Sequence, residues 1–120
     1  MAQRLVLKVT AGEDSAERCG QAFTVAAIAV ASGFPTSLWL TGEAAWLAVP
    51  GRAEAFELPH SAPLAELRDA VLADGTVTLC TQCAVRRGIG EADVLPGVRL
   101  AGAAVFLAEI MEPETQALVY

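Results

Sequence analysis

The sequence predicts an α/β fold, with a mainly parallel five-stranded sheet and helices on both of its faces. Short segments rich in leucine and β-branched residues alternate with longer alanine-rich segments along the chain. The composition is 54% hydrophobic but only 6% aromatic, which suits aliphatic strands buried on both faces. Alternating strands and helices imply right-handed βαβ crossovers and a parallel sheet. A chain of 120 residues is long enough for one domain, which we place over residues 1–120.

The first strand is predicted over Arg4–Thr10 (RLVLKVT), and the turn AGEDS follows it. Asp14 or Ser15 is expected to cap a helix that runs to about Ser32, where Gly33 ends it. This helix contains the stretch AFTVAAIAVA, which has almost no polar side. Because a helix that is apolar all round is normally covered all round, we expect a second copy of the chain to pack against it.

The remaining elements repeat the same alternation. Residues 49–62 are rich in Pro, Gly and Glu and form the least regular part of the chain. After them, Pro63 suits the first position of a helix running to Ala73, and Gly75 suits its end. The other predicted elements are a strand over Thr36–Leu40, a short helix over Gly42–Ala48, a strand over Thr76–Cys80 followed by a short helix, an extended stretch over Gly97–Leu100, a helix over Ala101–Met111 and a last strand over Gln116–Tyr120.

Charge and hydropathy exclude several classes of partner. Eight basic and fourteen acidic residues leave a formal charge of −6, and Lys8 is the one lysine. Nucleic acid and anionic membranes, which attract clustered Lys and Arg, are therefore not expected as partners. The most apolar window, Ala22–Ala31, is ten residues long, whereas a membrane span needs about 20. The first residues lack the pattern of a signal peptide, so we expect a soluble cytoplasmic protein with reduced thiols.

Cys80 and Cys83 form a C-x-x-C pair at the end of a predicted strand. In a parallel sheet, binding and catalysis occur at the carboxyl ends of the strands. A thiol there also meets the free N–H groups and the positive dipole end of the following helix, which stabilise thiolate and lower the pKa. Cys80 is therefore the candidate nucleophile, and Cys83, one turn further on, is the candidate resolving thiol. Cys19 stands alone in the first helix and is expected to be a buried small hydrophobe.

Zinc binding and thioredoxin-type redox chemistry are the alternatives for the cysteine pair. Zinc would need Cys19 and His60 in addition to the pair, and His60 lies in an irregular stretch (ELPHSAP) that we expect to be exposed. We therefore expect neither a metal nor a cofactor. A thioredoxin-type site would have an aromatic-Cys-Gly-Pro-Cys run, which is missing here. The motif by itself leaves disulfide exchange and sulfur carrying both open.

Charged and aromatic residues near the pair are candidates for binding. Arg86 and Arg87 could attract an anionic donor such as thiosulfate or an acidic patch on a partner. Their alternative role is to meet the negative end of the helix dipole. The loops after the first two strands bring Glu13, Glu43 and Trp46 to the same edge, where we expect them to line a pocket; the two carboxylates would repel anions.

The segment C-TQCAV-RRGI, with a strand-ending cysteine five residues before Arg-Arg-Gly-Ile, resembles the DsrE/TusD-type (DsrE/DsrF-like) intracellular sulfur-relay family. The stretches LWLTGEAAW, GVRLAGAAVFLAEI and QALVY fit the same family, so the resemblance covers nearly the whole chain. It implies a three-layer α/β/α sandwich that assembles into homotrimers or homohexamers. It also implies that Cys80 carries sulfane sulfur as a persulfide and hands it to a partner such as a small sulfur-carrier protein. Cys83 is a departure, because relay members typically have a small apolar residue there.

Three functional hypotheses follow. In the first, which we favour, the protein is a sulfur carrier or sulfurtransferase that uses Cys80, with Cys83 as the resolving thiol. In the second, it is a C-x-x-C thiol-disulfide oxidoreductase or redox sensor. In the third, it is an oligomeric small-molecule-binding protein with incidental thiols, for which Glu13, Glu43 and Trp46 would matter most.

Overall fold

The computed structural model describes residues 3–120. Five parallel strands form one sheet with helices on both sides, which confirms the predicted fold class. The strands are β1 (Arg4–Val9), β2 (Thr36–Leu40), β3 (Thr76–Cys80), β4 (Arg99–Ala101) and β5 (Thr115–Val119), in the spatial order β4-β3-β2-β1-β5. The helices are α1 (Ala16–Ala31), α2 (Leu64–Asp74), α3 (Thr81–Arg86) and α4 (Ala103–Ile110), with 3-10 turns at Glu13–Ser15, Gly42–Ala48 and Glu91–Asp93.

Every predicted element is present, with small shifts at its ends. The extended stretch predicted from Gly97 begins only at Arg99, because Gly97 has a φ of 92° and is not extended. Pro63 precedes α2 as its cap rather than opening it. Gly42–Ala48 is a 3-10 helix. Within residues 3–120, none of the helices combines the length and the apolar character needed to cross a membrane.

The two faces of the sheet are covered differently. Side chains alternate between faces along each strand. On one face, Leu7, Leu38 and Val77 join the buried core under α1 and α2, which pack against each other. β4 and β5 lie at opposite edges, so the connection between them carries α4 across the other face. There the Phe106 ring packs edge-on against Trp39, with the ring centroids 5.3 Å apart.

The outer side of α1 is covered largely by its own chain. A Cβ on Gly20 would come within 2.6 Å of the Leu58 side chain, so the irregular segment 49–62 lies directly against the helix. Arg68 of α2 is 2% exposed and binds both carboxylate oxygens of Glu54, at 3.0 and 3.2 Å, which ties that segment to α2. Over Ala16–Ala31 of α1, the one large hydrophobic side chain that is exposed is Ile28.

A group of exposed apolar side chains lies on the far side of the sheet from α1. We call them the α4–β5 surface. They are Val105, Leu107, Met111 and Val119, on α4, the turn after it and the edge strand β5. The sequence predicts that a second copy of the chain covers α1; in the structure, segment 49–62 and α2 supply much of that cover, and packing of a second copy stays a prediction.

Candidate functional site

Cys80 is the last residue of β3 and lies at the carboxyl edge of the sheet, where α3 begins with the next residue. Its side chain is half-buried and lies on the α4 face, two residues beyond Thr78. Burial tends to raise the pKa of the Cys80 thiol. The backbone N–H groups of Cys83 and Gln82, the Cys83 thiol and the positive charge of Lys8 outweigh that effect, so the pKa is lower than that of an ordinary thiol.

Cys83 is buried on α3, three residues beyond Cys80, and its thiol is one of the groups that lower the pKa of Cys80. The backbone N–H of Gly42 donates to the Cys83 Sγ at 3.3 Å, and the Arg86 Nη1 lies 4.0 Å from the same sulfur. Gly42 has a φ of 53°, and a Cβ there would meet the Thr10 carbonyl oxygen at 2.4 Å. Only glycine fits this close approach, and the approach brings its N–H to the sulfur.

Arg87 joins the end of α3 to the turn that follows β2. Its guanidinium donates to the Glu43 carboxylate from Nε at 2.9 Å and contacts it from Nη2 at 2.8 Å. Its Nη1 also donates to the Cys83 carbonyl oxygen at 3.1 Å. The charges of Arg87 and Glu43 therefore balance each other, and Arg86 is left as the exposed cation of the two predicted anion contacts.

Glu13, Glu43 and Trp46, predicted to line a pocket, are brought together by the structure. With Leu47 and Arg52 they enclose a cavity of about 60 Å³, and the Arg52 guanidinium stacks 4.2 Å from the Trp46 ring centroid. Cys80 does not line this cavity. The cavity has room for water but not for an organic ligand of ordinary size.

Cys19 and His60, the other two residues of the zinc alternative, are not assembled with the pair. Cys19 is fully buried in α1, where burial and the charge of Asp14 raise the pKa of its thiol to about 12. His60 is exposed on segment 49–62. Over residues 3–120, His, Cys, Asp and Glu form no cluster of three that could hold a metal ion.

Lys8 is a residue of the Cys80 surroundings that the sequence analysis did not identify as functional. It lies in β1 on the α4 face, and its Nζ is 4.1 Å from the centroid of the Phe106 ring. Its positive charge contributes to the lowered pKa of Cys80. The available signal was a lysine inside a strand, RLVLKV, whose other residues after Arg4 are apolar.

Glu109 anchors α4 to the same face and was also missed. Its Oε1 accepts hydrogen bonds from the Ser37 hydroxyl at 2.7 Å and the Trp39 indole N–H at 3.1 Å, and its Oε2 pairs with Arg99. Burial raises the pKa of the Glu109 carboxyl, but these donors lower the pKa by more, so it lies below its ordinary value. The signal was a single charge within the apolar helix AAVFLAEI.

A sequence model of the DsrE/DsrF-like family matches residues 3–113. The chain belongs to the DsrE/DsrF-like family. This confirms the resemblance drawn from the cysteine motif, and the family is generally one of sulfur relay. Among curated proteins, no sequence matches the chain significantly.

Solved structures share this DsrE-type fold at low sequence identity. The ychN protein from E. coli superposes with a TM-score of 0.82 at 16% identity, over 98% of this chain and 99% of that one. The protein of unknown function MTH1491 from Methanobacterium thermoautotrophicum gives a TM-score of 0.74 at 8% identity, over 98% and 99% of the two chains. BT1422 from Bacteroides thetaiotaomicron, also of unknown function, gives 0.59 at 12% identity, over 97% and 94%. These likenesses concern the fold alone.

Proposed function

We propose that this DsrE-family protein is a sulfur-transfer protein that carries sulfane sulfur as a persulfide on Cys80 and passes it to an acceptor. The observation that carries the proposal is the position of Cys80: a half-buried thiol with a lowered pKa at the carboxyl end of a parallel strand. The thiolate is the form of a cysteine that attacks a sulfane sulfur, and a lowered pKa increases its fraction at a given pH.

Loading is a thiol exchange at sulfur. The Cys80 thiolate attacks the terminal sulfur of a persulfide donor R–S–SH. A new bond forms between Cys80 and that sulfur while the donor S–S bond breaks, and the donor leaves as R–S⁻ with the electron pair. The product Cys80–S–SH retains the sulfur at the sulfane oxidation level, so no external oxidant or reductant is needed.

Release can follow two routes. An acceptor thiolate can attack the terminal sulfur, which transfers it and regenerates the Cys80 thiolate. Alternatively, the Cys83 thiolate can attack Cys80 Sγ, which expels hydrosulfide and leaves a Cys80–Cys83 disulfide that an external dithiol must reduce. The spacing of the two cysteines, one turn apart at the start of α3, and the Gly42 N–H on the Cys83 sulfur support the second route.

Partners are expected at two surfaces. Val85 is 73% exposed and lies with Arg86 on α3, so a small sulfur-carrier protein with a reactive cysteine would meet an apolar and a cationic side chain next to Cys80. The α4–β5 surface is the place where we propose that copies of the chain associate as a homotrimer or homohexamer.

A C-x-x-C oxidoreductase or redox sensor is the second candidate. It is favoured by one feature, the free and adjacent thiols of Cys80 and Cys83. It differs from sulfur carrying in requiring both thiols for every turnover.

The test is the intact mass of the reduced protein after incubation with glutathione persulfide. We expect the Cys83→Ser variant to gain one sulfur, about 32 Da, and to hold it because the resolving route is closed. We expect Cys80→Ser to gain nothing, and Cys19→Ser, the matched control at a buried thiol, to behave as the wild type. Hydrosulfide released by the wild type should be absent from both Cys80→Ser and Cys83→Ser.

Two results would count against sulfur carrying. One is sulfur loading that persists in Cys80→Ser. The other is no loading of Cys83→Ser while the wild type loses two hydrogens, about 2 Da, which would support dithiol redox chemistry instead.

A further inference from the structure

Lys8 and Cys80 lie on the same face of the sheet, and a row of side chains runs from Lys8 to the strand that carries Cys80. The register pairs Lys8 with Trp39, Trp39 with Thr78, and Thr78 with Arg99, so these four side chains run across the sheet on the α4 face. Cys80 follows Thr78 by two residues and therefore lies on the same face, nearer the carboxyl edge. Lys8, two strands away, can reach along this face toward that edge.

The charge of Lys8 is not balanced by a carboxylate. Among residues 3–120, no acidic group lies within ion-pair distance of its ammonium, whereas Arg99 in the same row is paired with Glu109. The Phe106 ring holds the Lys8 ammonium at 4.1 Å by a cation–π contact. A partly buried lysine in an interior strand loses hydration, and a single contact with phenylalanine offsets only part of that loss. A nearby anion would offset the rest of the lost hydration energy of the Lys8 ammonium.

We propose that Lys8 is a positioning residue whose ammonium stabilises the sulfur anion at Cys80. For the Cys80 thiolate, this proposal does not depend on the proposed function. For the Cys80 persulfide anion, it rests on the proposed function. The other charged or titratable groups around this site are Cys83 and Arg86 on α3, Arg99 on β4 and Glu109 on α4. A substitution of Lys8 alone leaves the chemical identity of all of these groups unchanged.

The test measures the rate at which iodoacetamide alkylates Cys80 as a function of pH. The Cys83→Ser background isolates Cys80, since Cys19 is buried. We expect Lys8→Met to slow alkylation about two- to fourfold near neutral pH and to move the midpoint upward. This range follows from one charge about 10–12 Å away, two strand spacings across the sheet and two residues along it, in surroundings between protein and water in polarity. We expect Lys8→Arg to restore the rate and added salt to shrink the difference.

Arg4→Met is the matched control, because it removes the same charge from the exposed beginning of the same strand. We expect it to alkylate at the parent rate. The proposal is overturned if a folded Lys8→Met alkylates at the parent rate, if Lys8→Arg is as slow as Lys8→Met, or if Arg4→Met slows equally. Alkylation needs no sulfur donor, so this experiment and the mass experiment fail independently.

Discussion

At the scale of single residues, the three cysteines show that burial and hydrogen bonding decide thiol chemistry. Cys19 is fully buried beside Asp14, and both effects disfavour its thiolate. Cys80 is also partly desolvated, yet N–H groups and a lysine charge reverse the balance. Cys83 is buried on α3, with a backbone N–H directed at its sulfur. One residue type thus provides an inert core group, a candidate nucleophile and a candidate resolving thiol.

Cys19 leads to a prediction about alkaline stability. Its pKa rises from an ordinary 9.0 to about 12 in the folded chain. Because the folded-state pKa lies above the unfolded one, its contribution to stability is complete below the ordinary value and is lost as the pH rises toward the folded value. In this pH range the wild type should lose up to about 1.4 kcal/mol of unfolding free energy per pH unit through Cys19. We expect Cys19→Ala to lack this loss. Urea unfolding at neutral and alkaline pH measures it; parallel curves for the variant and the wild type would contradict the assignment.

At the scale of elements, short segments hold the site together. α3 is only six residues long, and Arg87 at its end ties it to the turn after β2 through Glu43. α4 has no buried residue of its own and is joined to the sheet through Glu109 and the Phe106 ring. Polar anchors therefore contribute to the attachment of both helices, whereas α1 is held by apolar burial.

The role of Glu109 is tested by Glu109→Gln. Loss of its charged hydrogen bonds should cost about 1–3 kcal/mol of unfolding free energy near neutral pH. Its folded-state pKa is lowered, so its contribution is present above the ordinary carboxyl value and is lost as the pH falls through the folded value. The wild type and Glu109→Gln should therefore converge in acid. Urea unfolding checks this, with Glu112→Gln, on the exposed turn after α4, as the control that should match the wild type at both pH values.

The elements were predictable from the sequence, but most contacts of the site were not. Leucine and β-branched segments identified all five strands, and the strand–helix junction identified the position of Cys80. The Gly42 N–H on the Cys83 sulfur depends on how α3 and the turn after β2 approach each other, which no local pattern encodes. The pairing of Arg87 with Glu43 likewise depends on tertiary placement, because the two residues are far apart in the chain. Lys8 and Glu109 left a weak signal, a charge within an apolar element, whose meaning depends on strand register.

At the scale of the whole molecule, one face of the sheet forms the core and the other carries the candidate site. The face under α1 and α2 contains the aliphatic core cluster, which segment 49–62 completes. The other face has one short helix over it, holds Lys8, Trp39 and Cys80, and continues into the α4–β5 surface. An uncovered apolar surface of this kind is typical of a protein–protein interface. An interface on this face would also lie on the side of the sheet that Cys80 occupies.

The α4–β5 surface and α1 can be compared by a matched pair of substitutions. Leu107 on α4 is 57% exposed and Ile28 on α1 is 60% exposed, so a charge at either site disturbs the monomer equally little. We expect the wild type to sediment at three or six times the mass of one chain. Leu107→Glu should dissociate it, because a buried unpaired charge is strongly unfavourable at an interface, and Ile28→Glu should not. Dissociation by Ile28→Glu alone would return the interface to α1, where the apolar sequence of that helix first suggested it, and a monomeric wild type would contradict both.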